Sequence, residues 1–290
     1  MTEPTHPAPR TAKTGNSSRL SKARATKPGE TYGVPGQGDT LWLSVLSILG
    51  IIFVWWLFTF MGWVKPLFLP SPQAVLAKFI QVWNEGFTNT PFLEHVAISA
   101  ARVFGAFILA CLVGIPLGIA MGMSPLVRGI FDPPIEFYRP IPPLAYLPLI
   151  IIWFGIGETS KVLLIFLSVL APVALGARSG VKSAAIEQIH AAYSFGASRW
   201  QVMRHVILPS ALPEILTAMR IGIGFGWTTL VAAEMVAATK GLGYMVLTAS
   251  QFLQTSTVIM GIIVIAVIAY AFDVLMRWVE RKVVPWKGRM

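Results

Sequence analysis

The chain has 290 residues, 55% of them hydrophobic and only 12% charged. Soluble domains carry about 25% charged residues, so this composition, with a mean hydropathy of +0.67, excludes an ordinary soluble domain. The formal net charge of +10 invites a nucleic-acid reading, but the positions of the charges assign them to membrane topology, and no nucleic-acid partner is expected.

Residues 1–39 are rich in Pro, Ser, Thr, Lys and Arg and poor in large apolar side chains. Such a segment cannot bury enough surface to fold alone, so a disordered basic tail is expected. It is no secretory signal, because the apolar run starts late and lacks a small-residue cleavage site. Its cations suit solvent or anionic lipid headgroups. From 40 to 290 the chain reads as one transmembrane domain. The first span covers 41 to about 62, long enough for the hydrocarbon core. Trp55, Trp56 and Trp63 suit an interface near its far end. Prolines keep 66–72 extended, and 73–83 reads as an amphipathic surface helix.

Pro91 opens a long helix towards Met123, with polar first turns (Glu94, His95, Ser99) and Arg102 where the apolar part begins. Gly105, Gly114, Gly118 and Gly122 recur at helical spacing, which lets backbones approach closely. Residues 124–139, SPLVRGIFDPPIEFYR, are more polar, and prolines at 133, 134, 140, 142, 143 and 148 break the backbone before a third span at about 144–157. Broken backbone at membrane depth needs protein or a water-filled cavity around it. Glu136, Tyr138 and Arg139 therefore either face a translocation path or merely turn the chain. A polar turn at 158–161 leads to the fourth span, 162–177, where Pro172 is expected to cause a kink. The fifth span, 214–236, carries Arg220 and Glu234. These are 14 residues, or about 21 Å, apart along a helix and cannot pair with each other. Glu234 is then a candidate for the path, a member of a structural pair, or a group near the outer interface. A turn at 239–243, a short helix at 244–253 and a sixth span at 256–276 complete the domain.

Of the 23 Lys and Arg residues, six lie in the tail, six in the second and fourth loops and five at the carboxy end, seventeen in all. With both termini in the cytoplasm, only Lys65, Lys78, Lys161 and Lys240 fall outside, as the positive-inside rule requires. The chain has no G-x4-G-K-[ST] phosphate loop, and its four His are scattered, so neither ATP hydrolysis nor zinc binding is expected of it. The single Cys111 excludes an intrachain disulfide and reads as a small core residue. Gly222, Gly224 and Gly226 lie in an apolar helix with no strand before them, which excludes dinucleotide binding. The chain reads as a conduit, not an enzyme, with no cofactor of its own.

The stretch HAAYSFGASRWQVMRHVILP, 190–209, is the longest polar interruption after the tail. It reads as a short helix, a turn at Gly196 and a second short helix capped by Ser198, which Leu208 and Pro209 end before the next span. The pattern resembles the EAA loop of ABC-transporter inner-membrane permeases, E-A-A-x3-G-x9-I-x-L-P. Ala191, Ala192, Gly196, Leu208 and Pro209 match it, while His190 replaces Glu and Val206 replaces Ile. Residues 131–161, 206–235 and 238–245 are similar to the nitrate/sulfonate/taurine branch of those permeases, and the similarity covers about 41–287.

The resemblance implies an all-α integral membrane protein with six transmembrane helices and a MetI-like fold, in the bacterial inner membrane. It further implies a homodimer, a cytoplasmic ABC ATPase dimer that consumes the ATP, and a periplasmic substrate-binding protein. His190, Ala191, Ala192, Gly196, Ala197, Leu208 and Pro209 would form the ATPase-coupling loop within 178–212. The implied substrate is taurine, with other aliphatic sulfonates, nitrate or bicarbonate as alternatives. A secondary transporter without an ATPase is the competing class; an intramembrane enzyme or scaffold lacks a catalytic constellation.

Overall fold

The computed structural model describes residues 41–286. The expected tail at 1–39 lies outside the described residues. Every regular element among the described residues is a helix, and the only β pairing is an isolated bridge between Phe87 and Thr90. Helix α1 (Leu41–Phe60) carries no charged residue, and the side chains of 42–54 are all exposed. Residues 55–286 form a compact body.

That body is built on three long helices, α3 (Phe92–Met123), α6 (Glu158–Lys182) and α9 (Leu208–Ala237), with α6 packed between the other two. Val103, Ala106, Phe107 and Ala110 of α3 meet Ile165, Val169 and Val173 of α6 and Ile223, Trp227 and Leu230 of α9 in the main core. Lipid gives helices no hydrophobic reason to associate, so close backbone packing at small residues must do so. A Cβ at Gly118 would run into the Ala174 carbonyl and would lie 2.6 Å from the Ala177 Cβ, whereas one at Gly105 meets nothing within 4 Å. Sequence spacing alone had grouped these two glycines. Gly118→Ala should therefore destabilise the protein by about 1–3 kcal/mol through overpacking. Gly105→Ala should leave the thermal midpoint in detergent unchanged or slightly raised. Equal midpoints for the two variants would contradict this packing.

Around the core, α2 (Pro72–Glu85), capped by the Ser71 hydroxyl accepting from Ala74 N at 3.3 Å, buries Val75 and Val82 against Phe92, Leu242, Met245 and Met260. α10 (Leu242–Gln251) and α11 (Thr255–Val283) pack on each other and on α9. Arg220 of α9 lies 3.8 Å from Asp273 and 3.5 Å from Glu280, both on α11.

Residues 66–69 turn, with Phe68 N and Leu69 N donating to Lys65 O, instead of staying extended, and 158–161 is the first turn of α6 instead of a separate turn. Two larger regions also differ from the sequence expectation. The stretch 124–139 is helical as α4 (Pro125–Tyr138), and α5 (Pro143–Phe154) follows at a bend of 105°. Pro125 occupies the first turn, where no N–H is needed. Pro133 and Pro134 deprive only the carbonyls of Gly129 and Ile130, both on exposed residues. The 12 residues of α5 cover about 18 Å, too short for a hydrocarbon core of about 30 Å. Among the described residues five helices are thus long and apolar enough to cross a membrane, six if the bent pair α4 and α5 forms one broken span.

The second difference is at 208–209. The helix does not end there but runs on from Arg199 to Ala237, through α8 (Arg199–Val202) and a π-helical turn at Met203–Ile207. Pro209 cannot donate to the carbonyl four residues back and its ring crowds that carbonyl. The wider turn, with Leu208 N donating to Met203 O, absorbs the misfit without a break. Pro172 likewise sits inside an unbroken α6.

Candidate functional site

Three constellations lie along α9 and its lead-in. The first is the hairpin joining α6 to α8. α7 (Ile186–Ser194) ends in a Schellman-type turn, with Ala197 N donating to Ala192 O at 3.1 Å and Gly196 N to Tyr193 O at 2.9 Å. Gly196 carries the φ of +81° that this turn requires. Ser198 then starts α8 with a reciprocal capping box: Gln201 N donates to Ser198 Oγ at 3.4 Å and Ser198 N donates to Gln201 Oε1 at 2.7 Å. His190 is exposed, its carbonyl accepts from Ser194 Oγ at 3.0 Å, and no ion pair reaches it among the described residues. Ala191 is exposed and Ala192 and Ala197 half-buried beside the turn; Leu208 and Pro209 lie half-buried at the foot of α9. Sequence pattern missed the apolar display around them: Ile186, Tyr193, Phe195 (91% exposed) and Trp200 (64% exposed) are all exposed. The available signal was four large apolar residues in a stretch otherwise called polar.

The second is a cavity of about 450 Å³ between the α4–α5 break, α6 and α9, lined by Tyr138, Arg139, Tyr146, Ser168, Ile221 and Phe225 among others. Tyr138 and Arg139 are thus brought together here. Glu136 is not in the lining; its carboxylate lies 4.0 Å from Arg139 and 3.5 Å from Arg178, which also pairs with Asp132.

Glu234 is elsewhere, near the far end of α9, fully buried in the third constellation. Its Oε1 accepts from Ser99 Oγ and from Arg102 Nη1, both at 2.7 Å, and its Oε2 accepts from Gly243 N at 2.8 Å. Leu242 N donates to Ser99 Oγ at 2.8 Å, and Gly241 N to His95 Nδ1 at 3.0 Å. The first amides of α10 therefore end on side chains of α3 and α9, and the Glu234 carboxylate sits where a helix N-terminus favours negative charge. Because Gly241 N donates to Nδ1, the neutral His95 ring carries its proton on Nε2, 3.3 Å from the Phe87 carbonyl. Arg102 continues the chain of contacts. Its Nε and Nη2 donate to both Glu158 oxygens at 2.6 Å, and Nη1 also reaches Lys240 O at 2.7 Å. Buried Lys161 donates to Glu158 at 2.8 Å, and Lys240 donates to Glu94 at 2.6 Å. This clamp ties the ends of α3, α6, α9 and α10 together opposite the hairpin. No group of His, Cys, Asp and Glu among the described residues is arranged to hold a metal.

A family model described as the binding-protein-dependent transport system inner membrane component matches residues 114–285. The taurine transport system permease protein TauC of Escherichia coli is 54% identical over 249 residues, 86% of this chain and 90% of that protein. The putative aliphatic sulfonates transport permease protein SsuC of Bacillus subtilis is 34% identical over 255 residues, 88% of this chain and 91% of that protein. Among solved structures, an inward-facing conformation of the MetNI methionine ABC transporter superimposes with a TM-score of 0.57 at 18% identity, over 66% of this chain and 95% of that chain. At that identity the likeness is one of fold alone.

Proposed function

The chain belongs to the family of binding-protein-dependent transport system inner-membrane components, and on that premise we propose that it is the permease of an ATP-driven importer of taurine for sulfur supply. It is a channel-forming subunit and not an enzyme; ATP hydrolysis belongs to a separate ATPase subunit. The observation that carries the substrate is the identity to the taurine permease, well above that to the aliphatic sulfonates permease.

Two copies of the chain form the channel, and the ATPase dimer docks on the hairpins. The exposed Tyr193, Phe195 and Trp200 support this, since exposed aromatic side chains serve as anchors of protein interfaces. The Lys and Arg distribution supports an orientation with the hairpin and both termini in the cytoplasm and the clamp on the outer side, where a periplasmic binding protein delivers substrate. The 39-residue helical path Arg199–Ala237, roughly 58 Å at 1.5 Å per residue, joins docking hairpin to clamp. When ATP closes the ATPase dimer, the hairpins are drawn together and α9 carries the motion outward. Because Glu234 anchors α9 to α3 and α10, those helices move with it as a rigid group. Hydrolysis resets the channel.

Proteoliposomes containing this chain, its ATPase and a taurine-loaded binding protein test the proposal. Labelled taurine should accumulate only with ATP on the ATPase side. Accumulation driven by an ion gradient without the ATPase would identify a secondary transporter and overturn it.

A further inference from the structure

The cavity at the α4–α5 break has a lopsided chemistry. Arg139 is the only charged residue in its lining. The guanidinium comes no closer than 4.0 Å to a carboxylate, outside hydrogen-bond reach. By contrast Arg102, Arg178 and Arg277 each hold a carboxylate directly. Of the three hydroxyls in the lining, Tyr138 donates to Leu167 O at 3.4 Å and Ser168 to Ile165 O at 2.7 Å. The Tyr146 hydroxyl meets no hydrogen-bond partner among the described residues, and it is the one left to donate. Ile221 and Phe225 of α9 add apolar surface. The cavity lies midway along α6, at Leu167–Leu175, and its volume of about 450 Å³ is that of a small-molecule site.

We propose that this cavity is a transit subsite for the sulfonate head of the transported molecule, with Arg139 as its anchor, Tyr146 as a second donor and Ile221 and Phe225 against the short carbon chain. The inference rests on the reading of the chain as a sulfonate permease. A sulfonate stays anionic and presents three acceptor oxygens. It gives up its water only where charge and donors replace it. A guanidinium fork supplies two parallel donors with a charge that never titrates, and a phenol supplies the third. Side-chain exposure of 58% at Arg139 keeps the charge partly hydrated. Binding then stays weak enough for release, which conduction requires as much as entry. The site sits at the 105° bend between α4 and α5, beside helices that rearrangement can slide past it.

The test is ATP-driven taurine uptake in proteoliposomes holding the complete transporter, with binding protein saturated. Arg139→Gln should lower uptake by about tenfold or more, the loss of a charge-assisted contact, with the complex assembling in wild-type yield. Arg139→Lys should recover part of it, keeping the charge without the fork, and Tyr146→Phe should cost less than Arg139→Gln. A merely structural role for Arg139 predicts lower assembly and no advantage of Lys over Gln, and that result overturns the subsite. Wild-type uptake by Arg139→Gln overturns it too and leaves the transport reading standing. Absence of taurine uptake by the wild-type transporter overturns both.

Discussion

Glu234→Ala is expected to cost about 3–5 kcal/mol, the range for removing one partner of a buried ion pair. The thermal midpoint of the detergent-solubilised chain should fall by roughly 10 °C for a chain of this size. The reason is what the substitution leaves behind. Arg102 is 5% exposed and would face the core with only Glu158 and a carbonyl. Gly243 N and the Ser99 hydroxyl would lose their acceptor, and buried groups without partners carry the full desolvation penalty. α10 would also lose the negative charge at its amino end. Arg102→Met should be about as harmful, because it leaves the buried Glu234 carboxylate without its counter-charge. The double variant, Arg102→Met with Glu234→Leu, should cost less than the two single changes added, by about 1–3 kcal/mol of coupling. Additive losses would show that the two residues do not act as one unit.

Phe195→Asp is expected to abolish coupled uptake while the chain still inserts and folds. Phe195 is 91% exposed, so the change should alter stability by no more than about 0.5 kcal/mol. If the hairpin is the ATPase contact, a charge in place of an anchoring aromatic should weaken docking by about 2 kcal/mol or more, roughly thirtyfold. Gly196→Trp should give the same phenotype by another route. No atom lies within 4 Å of a Cβ there, so its cost is backbone strain at φ +81°, about 1–2 kcal/mol, together with a bulky group on the docking face. Normal uptake with either variant at wild-type membrane levels would remove the hairpin from the coupling role.

How far the sequence carries can be read from particular residues. Hydropathy and proline placement locate both ends of α1 and α3 and the start of α11 to within a few residues, because a span of about 20 apolar residues is set by bilayer thickness; α11 runs on seven residues past the expected end at 276, to Val283. The hairpin is legible through Gly196 and Ser198, since turn and cap chemistry are local. Its continuation through Pro209 is not. Whether a proline ends a helix or is absorbed in a π turn depends on what holds the helix on either side. Glu234 could be picked out as a costly group inside a span and Arg220 excluded as its partner by distance along one helix. Its actual partners, Ser99 and Arg102, lie 135 and 132 residues away, and only the packing of α3 on α9 brings them together. The cavity at Arg139 was half visible: prolines marked the break, but Tyr146, Ser168, Ile221 and Phe225 belong to three different helices.

The central claim is tested most directly by labelled-taurine uptake into sulfur-starved cells with and without this chain, in competition with excess longer alkanesulfonate and with nitrate. Loss of uptake on deletion, with the competitors weak, is the predicted result. Unchanged taurine uptake, with growth on another sulfonate or on nitrate lost instead, would contradict it and move the substrate elsewhere in the family.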